Sequence, residues 1–223
     1  MHTLAEIERT IGQTFPPLFH QLDAADQLSW GAPHPQWSSV HFPRLQAAPP
    51  VLLYAQEYEP LPREQLHPAW EALTAEDHYN PLREDLHLLP FAQTGAGDHY
   101  CFWTNAPGMA EAPVVLVWHD DDRADVLAAN LQDFLFRKMV EAVVAFDPSY
   151  SLLSSAALAA ELQAWLGTHR QWLRADQIAA LEALFARTDD IANARIDEAE
   201  AQAIVQAIIG FERLDASFAY VRD

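Results

Sequence analysis

Hydrophobic residues recur at helical spacing from the start of the chain. Leu4, Ile7 and Ile11 fall on one helical face, and Gly12 follows as a stop signal. A Phe-Pro-Pro segment comes next, and Pro17 suits the first turn of a second helix because its fixed φ matches a helix start. The pattern therefore predicts two short helices at this end of the chain.

The pattern changes several times in the next part of the chain. Residues 30–50 are punctuated by proline and glycine and predict a loop. Residues 51–58 (VLLYAQEY) predict a strand, residues 62–75 a helix, and residues 86–92 a second short strand. This alternation indicates a sheet with helices connected to it.

Two further runs, residues 99–104 and 113–119, have the composition and alternation of strands. Residues 95–98 (GAGD) precede the first run and predict a hairpin turn, because glycine permits the backbone of a tight turn. Large side chains point to both faces of each run. We expect central strands that are covered on both sides, or strands with one aromatic binding face.

The next hydrophobic stripe has helical spacing and predicts a helix from about Ala124 to Phe146. Its apolar members are Leu127, Leu131, Phe134, Leu135 and Met139. Three consecutive aspartates, Asp120, Asp121 and Asp122, precede the stripe and are called the acidic loop below. Because negative charge suits the N-terminal end of a helix, the acidic loop is expected to lead into this one.

The composition changes near residue 150. The remainder of the chain is rich in alanine, lacks proline and shows only helical periodicity. We therefore predict an α+β domain of residues 1–148 and an all-helical C-terminal extension of residues 149–223.

The charge balance limits the possible partners. The chain carries 13 Lys and Arg residues against 32 Asp and Glu residues, a net charge of −19. Such a field repels nucleic-acid phosphates and anionic lipids, so we expect neither a nucleic acid nor a membrane as a partner. It favours encounter with a basic protein, although the same charge also serves solubility alone.

Cysteine usage and the N-terminal segment indicate the compartment. A single cysteine, Cys101, excludes an intramolecular disulfide and a thiolate metal cluster, which fits a reducing cytoplasm. The N-terminal segment contains acidic residues and lacks the apolar core of a signal peptide. No run approaches the roughly 20 apolar residues of a membrane span. We expect a cytoplasmic protein, and the sequence gives no indication of its oligomeric state.

His119 and the acidic loop form one metal candidate, because imidazole and carboxylate groups bind divalent ions. Adjacent side chains of a regular segment do not converge on one ion, however, and no HExxH motif accompanies them. A solvated acidic loop is the favoured interpretation. No metal ion and no cofactor is therefore expected.

Residues 189–200 (DDIANARIDEAE) form a second metal candidate, because they resemble a degraded calcium-binding EF-hand loop. Acidic or amide side chains occupy its first, fifth, ninth and twelfth positions. Ile191 replaces a ligand, and Ala194 replaces the glycine of the sharp turn. Asp197 followed by Glu200 is also typical of a helix start, which is the favoured interpretation. Whether this stretch binds an ion stays open.

No catalytic centre is predicted. Cys101 and His99 share a strand face, but alternate residues of a strand point in parallel rather than at each other. A buried structural cysteine is favoured, and no GxSxG elbow, P-loop or kinase motif is present. Aromatic and acidic side chains at strand edges instead predict a protein-binding surface. Its candidate residues are Asp98, Trp103, Trp118, Asp120, Asp121 and Asp122.

Several motifs together resemble the SUKH superfamily, the Smi/Knr cell-wall-regulator-like domains. The resemblance rests on an LLPFA strand at residues 88–92, the Gly-x-Gly-Asp turn and the aromatic strand after it. It continues through Pro-Val-Val at residues 113–115 before the acidic loop, and through LQDFL at residues 131–135. It covers residues 4–144, whereas residues 30–85 and the helical extension depart from the family pattern.

The resemblance implies an α+β fold with a central, mainly antiparallel sheet and flanking helices. It also implies a non-enzymatic role and offers no catalytic residues. Bacterial members resemble immunity proteins that bind and neutralise a cognate toxin, often a nuclease, and fungal members are regulatory scaffolds. We expect an immunity-type protein with a basic toxin domain as its partner. The alternatives are a regulatory or scaffold protein and a metal-dependent hydrolase that uses His119, Asp120 and Asp122.

Overall fold

A computed structural model describes residues 3–31 and 36–222 of the chain. The chain divides into two compact units. The sheet unit contains residues 3–25, 57–134 and 211–222, and the helical unit contains residues 26–31, 36–56 and 135–210. The predicted division into residues 1–148 and 149–223 stays a prediction.

The sheet unit is built on six antiparallel strands that follow one another in chain order across the sheet. The strands are β1 (Glu59–Pro60), β2 (Leu88–Gln93), β3 (His99–Trp103), β4 (Val114–Val117), β5 (Arg123–Ala128) and β6 (Ser217–Ala219). This arrangement confirms the predicted α+β class with a mainly antiparallel central sheet.

Nine α-helices occur in the described part of the chain. They are α1 (Leu4–Ile11), α2 (Pro17–Ala24), α3 (Phe42–Leu45), α4 (Arg63–Thr74), α5 (Leu131–Glu141), α6 (Leu158–His169), α7 (Ala175–Phe185), α8 (Thr188–Ala192) and α9 (Glu198–Ile209). The predicted stop at Gly12 is confirmed, because this residue has a left-handed φ of 74° at the end of α1. None of the described helices is long and apolar enough to cross a membrane.

Both faces of the sheet are covered, as one of the two sequence-based alternatives anticipated. One face packs aromatic rings: Phe91 stacks on Phe102 with centroids 4.2 Å apart, and Phe134 lies 5.3 Å from Tyr100. The other face buries a cluster of mostly aliphatic side chains that includes Leu88, Cys101, Trp103, Val115, Val117, Ala124, Val126 and Tyr220. Each central strand therefore contributes apolar area to two core layers.

The order of the strands places two turns at the same end of the sheet. Successive antiparallel strands reverse direction, so the β2–β3 turn and the β4–β5 turn share one end and the β3–β4 connection lies at the other. The β2–β3 turn is the predicted hairpin: Thr94 and Asp98 are joined by a backbone hydrogen bond of 2.9 Å. Gly97 adopts a φ of 101°, which only glycine adopts readily. The acidic loop is the β4–β5 turn.

The predicted helix from Ala124 was wrong in its first part. Residues 123–128 form β5, in which Ala124, Val126 and Ala128 alternate into the core. Helix α5 begins only at Leu131, where the side chain of Asn130 accepts a hydrogen bond from the Asp133 amide at 2.9 Å. The acidic loop therefore turns between two strands and does not lead into a helix.

Two further sequence-based elements differ from the structure. The strand predicted at residues 51–58 was wrong, because residues 51–54 form a buried turn in which Leu52 has a φ of 54°. The loop predicted at residues 30–50 contains a π-helical turn at Trp37–His41 followed by α3, and residues 32–35 lie outside the described residues. Strand β6 was not predicted.

The helical unit has its own core. Trp165 is fully buried beside Phe185 and Tyr54, with ring centroids 6.1 and 5.4 Å away. His169 is also fully buried, and its Nε2 accepts the Leu52 amide hydrogen at 3.2 Å. Helices α6 to α9 lie in this unit and confirm the predicted helical extension.

Candidate protein-binding site

The acidic loop projects its three carboxylates from the end of the sheet. Asp120, Asp121 and Asp122 are all exposed. The Trp118 amide donates to the Arg123 carbonyl at 3.2 Å and closes the turn, and the Asp122 amide donates to the Asp121 carboxylate at 2.7 Å. Charge is thereby concentrated on a short, closed turn.

Two residues from other segments hold the backbone of this turn. The side-chain amide of Asn80 donates to the carbonyls of His119 and Asp121 at 3.3 and 3.0 Å. The hydroxyl of Tyr220 donates to the Trp118 carbonyl at 2.7 Å, and its backbone amide donates to the Asp122 carbonyl at 2.8 Å. Because these bonds engage backbone carbonyls, they order the turn and leave the carboxylates of the acidic loop exposed.

Asp98 connects the β2–β3 turn to the β4–β5 turn. Its Oδ1 accepts hydrogen bonds from the His119 backbone amide at 3.1 Å and from His119 Nδ1 at 2.7 Å. Its Oδ2 accepts one from the Thr94 hydroxyl at 2.9 Å. The side chain of Asp98 is buried, whereas that of His119 is about half exposed, at 48%. Asp98 therefore acts from inside the fold on the position of the exposed loop.

The pKa shifts of this pair follow from the geometry. Burial opposes ionisation of Asp98, but the hydrogen bonds from His119 and Thr94 outweigh it and lower the pKa of this carboxyl. The hydrogen bond to Asp98 raises the pKa of His119 above its usual value. Both shifts favour a negatively charged Asp98 beside a protonated His119.

Part of the sequence-based metal candidate comes together here. Ligand atoms of Asp98, His119 and Asp120 lie within 4.8 Å of one another, and this group does not extend to Asp121 or Asp122 in the part of the chain that the structure describes. Asp98 and His119 already hydrogen-bond to each other. This pairing is sufficient to account for their proximity.

The two predicted tryptophans have different environments. Trp103 is only 7% exposed, and its ring packs 4.7 Å from the guanidinium of Arg213 and 4.7 Å from the ring of Phe218. Trp118 is partly exposed; its indole N–H donates to Asp125 at 2.8 Å, and the Arg123 guanidinium lies 5.1 Å from its ring centroid. Trp118 therefore offers an edge beside the acidic loop, whereas Trp103 packs in the core.

The structure thus sorts the six candidate residues by accessibility. Asp120, Asp121 and Asp122 are exposed and contiguous, and Trp118 borders them. Asp98 and Trp103 are buried. Asp98 lies at the same end of the sheet as the acidic loop, whereas Trp103 ends β3 at the opposite end. A role in partner binding stays a prediction for all six.

Tyr79 lies next to this surface and was not selected from the sequence. Its side chain is 89% exposed, and the following residue, Asn80, donates to two carbonyls of the β4–β5 turn. The available signal was a single aromatic residue within the polar segment Glu-Asp-His-Tyr-Asn. Exposure of this side chain depends on the tertiary fold, so the sequence pattern did not distinguish it from a core aromatic.

The EF-hand-like stretch has a different organisation. Asp190 pairs with Arg187 and Arg195 at 3.0 and 2.8 Å, and Glu200 forms an ion pair with Arg187. The Asp197 side chain accepts the Glu200 amide hydrogen at 2.8 Å, so the predicted cap of α9 is confirmed. Arginine side chains thus neutralise two carboxylates of this stretch.

Cys101 is fully buried in β3, as predicted for a structural cysteine. Burial strongly raises the pKa of its thiol, and burial also lowers the pKa of the neighbouring His99. A thiol that stays protonated and inaccessible is a poor nucleophile.

One comparison with known proteins gives a match, and it covers the first part of the chain. The sequence model of the SMI1 / KNR4 family (SUKH-1) matches residues 2–137, which is more than half of the 223 residues. No curated protein and no solved structure matches the chain. The family match confirms the resemblance carried by the strand and turn motifs, and it includes β2 to β5 and the acidic loop.

Proposed function

Because the chain belongs to the SMI1 / KNR4 family (SUKH-1), we propose that it is a non-enzymatic binding protein of the immunity type. Family membership supports a protein-binding role that is either immunity-type or regulatory. In the proposed role the chain binds a cognate toxin and blocks it. The partner is a basic toxin domain, such as a nuclease, and the acidic loop is the centre of the contact.

The observation that carries this proposal is a fixed turn with three exposed carboxylates, of which Asp120 has a basic side chain, that of His119, close by. Among the described residues, no lysine or arginine forms an ion pair with Asp120, Asp121 or Asp122. The nearest arginine in sequence, Arg123, is stacked on Trp118 and paired with Asp125 at 3.4 Å. The like charges repel one another, and a cationic partner relieves that repulsion without reorganising the turn.

A charge-reversal variant tests this contact. Asp120→Lys, Asp121→Lys and Asp122→Lys together define the acidic-loop variant. Wild-type protein and the variant are used as baits in extracts of the native host, and captured proteins are identified by mass spectrometry. We expect the wild type to retain a basic toxin domain and the acidic-loop variant to lose at least about tenfold of this binding, because close like charges cost several kcal/mol.

A matched variant controls for net charge. Glu64→Lys, Glu71→Lys and Glu111→Lys together define the control variant, which changes exposed acidic residues in α4 and in the β3–β4 connection. It should still capture the partner, with only the smaller loss that the change in net charge causes, and circular dichroism verifies that both variants fold. Retention of the partner by the acidic-loop variant contradicts the proposed contact. Capture of only cell-envelope or signalling proteins supports the regulatory alternative instead.

A further inference from the structure

Tyr79 is an exposed aromatic side chain on a backbone that is held in place. Its side chain is 89% exposed. In the next residue, the Asn80 backbone amide donates to His78 Nδ1 at 3.0 Å, and the Asn80 side chain donates to two backbone carbonyls of the β4–β5 turn. The side-chain amide of Asn80 also donates to the Tyr220 hydroxyl at 3.3 Å. The segment therefore presents the ring of Tyr79 from an ordered position next to the acidic loop.

This position differs from that of the other highly exposed tyrosine. Tyr150 is also 89% exposed, but it lies in the helical unit, in the connection that precedes α6. Tyr79 is linked through one residue to the turn that carries the three exposed carboxylates of the acidic loop. An aromatic side chain in such a setting supplies contact area at a low cost in conformational entropy.

The combination of an aromatic ring with carboxylates selects the chemistry of the partner. A guanidinium group stacks on an aromatic face and donates paired hydrogen bonds to a carboxylate, and both interactions use the same planar group. A lysine ammonium is more strongly hydrated and lacks this planar fork. Trp118 and Arg123 show a guanidinium over an aromatic ring within this part of the sheet unit.

We propose that Tyr79 and the acidic loop form one surface that binds an arginine-bearing segment of a protein partner. The inference rests on the proposed function, in which the toxin domain supplies that segment. Tyr79 provides the face on which the guanidinium stacks, and the acidic loop provides its carboxylate acceptors. Preference for arginine over lysine thus depends on Tyr79, whereas binding of cations in general depends on the acidic loop.

Two synthetic peptides of equal length and charge test this division. One presents three arginines and the other three lysines, each separated by glycine, and binding to the full chain is measured by calorimetry at low ionic strength. We expect the arginine peptide to bind wild-type protein about two- to fivefold more tightly than the lysine peptide. Tyr79→Leu should abolish this difference, because leucine keeps apolar area but has no aromatic face.

Tyr150→Leu is the matched control and should preserve the arginine preference. The acidic-loop variant should lose binding of both peptides. Equal affinity for the two peptides in the wild type overturns the inference, as does a preference that survives Tyr79→Leu or an absence of binding by both peptides. Capture of a basic toxin without an arginine preference retains the proposed function and rejects only this inference.

Discussion

The carboxylate of Asp98 joins the β2–β3 turn to the β4–β5 turn by hydrogen bonds, and the stability that these bonds provide depends on pH. The pKa of Asp98 is lowered, so its contribution to stability is present above the usual carboxyl pKa and is lost as the pH falls through the lowered value. The pKa of His119 is raised, so its contribution is present below the usual histidine pKa and is lost as the pH rises through the raised value. The pair stabilises the turns most in mildly acidic solution.

Asp98→Asn tests this coupling because it removes the charge and keeps the size. We expect the pKa of His119 to fall toward its usual value, as measured by NMR titration of the imidazole. The free energy of unfolding near neutral pH should fall by about 1–3 kcal/mol, because a buried charged acceptor is replaced. Glu111→Gln removes an exposed carboxyl from the β3–β4 connection. It should change neither the pKa of His119 nor the free energy of unfolding. An unchanged pKa of His119 in Asp98→Asn would contradict the coupling.

His169 gives the helical unit a pH dependence opposite in sign to that of His119. Burial lowers the pKa of His169 to about 4, although a hydrogen bond with the Trp165 carbonyl at 2.9 Å opposes this effect. The unfolded chain binds a proton near the usual pKa of about 6.5, whereas the folded chain does not. The free energy of unfolding is therefore unaffected by His169 above the usual histidine pKa. It falls by about 3 kcal/mol as the pH decreases to about 4.

Urea unfolding of wild-type protein and His169→Gln measures this contribution at about pH 7 and pH 4.5. Glutamine can still accept the Leu52 amide hydrogen, but it does not titrate. We expect the variant to lose less stability than the wild type over this interval, by about 2–3 kcal/mol. An equal fall in the free energy of unfolding of both proteins would show that burial does not lower the pKa of His169.

At the scale of elements, the sequence predicted structure best where large apolar residues recur at one period. The N-terminal helices, α4, the β2–β3 hairpin and β4 were all recognised in this way. Strand β5 was misread because its buried residues Ala124 and Ala128 are small, while Leu127 fits the helical spacing of the stripe that follows. Leu127 made the helical pattern more prominent than the alternation of small buried residues in β5. The helix was therefore predicted to begin too early in the chain.

Elements that depend on distant partners were the ones missed. The apolar run at residues 51–54 reads as a strand, but His169 satisfies the Leu52 amide from 117 positions away. Strand β6 has only three residues and exists because it pairs with β5. No local pattern encodes either partnership, so propensity alone could not predict these segments.

The candidate site shows the same division between local and distant information. The acidic loop and Trp118 were found from composition, and the structure places them side by side. Trp103 was grouped with them, yet Phe218 and Arg213 cover it from a segment about one hundred residues later. Tyr79 was missed because its position beside the acidic loop depends on the hydrogen bonds of Asn80 to the β4–β5 turn, which no local sequence pattern indicates.

At the scale of the whole molecule, a net charge of −19 acts on any approaching partner before contact. Long-range attraction accelerates association and is screened by salt, with a Debye length of about 10 Å at 0.1 M ionic strength. Short-range contacts within a formed complex are less affected and mainly set the dissociation rate. The total charge and the acidic loop should therefore leave different kinetic signatures.

Association kinetics with the captured partner can separate these two contributions. For the wild type, we expect the association rate constant to fall by about tenfold or more between about 0.02 and 0.2 M salt, with a smaller change in the dissociation rate constant. The control variant and the acidic-loop variant carry the same net charge and should lose a similar part of the long-range attraction. Only the acidic-loop variant should also dissociate faster, because its altered residues lie in the proposed contact. Equal dissociation rates for the two variants would place the contact elsewhere and leave the acidic loop with steering alone.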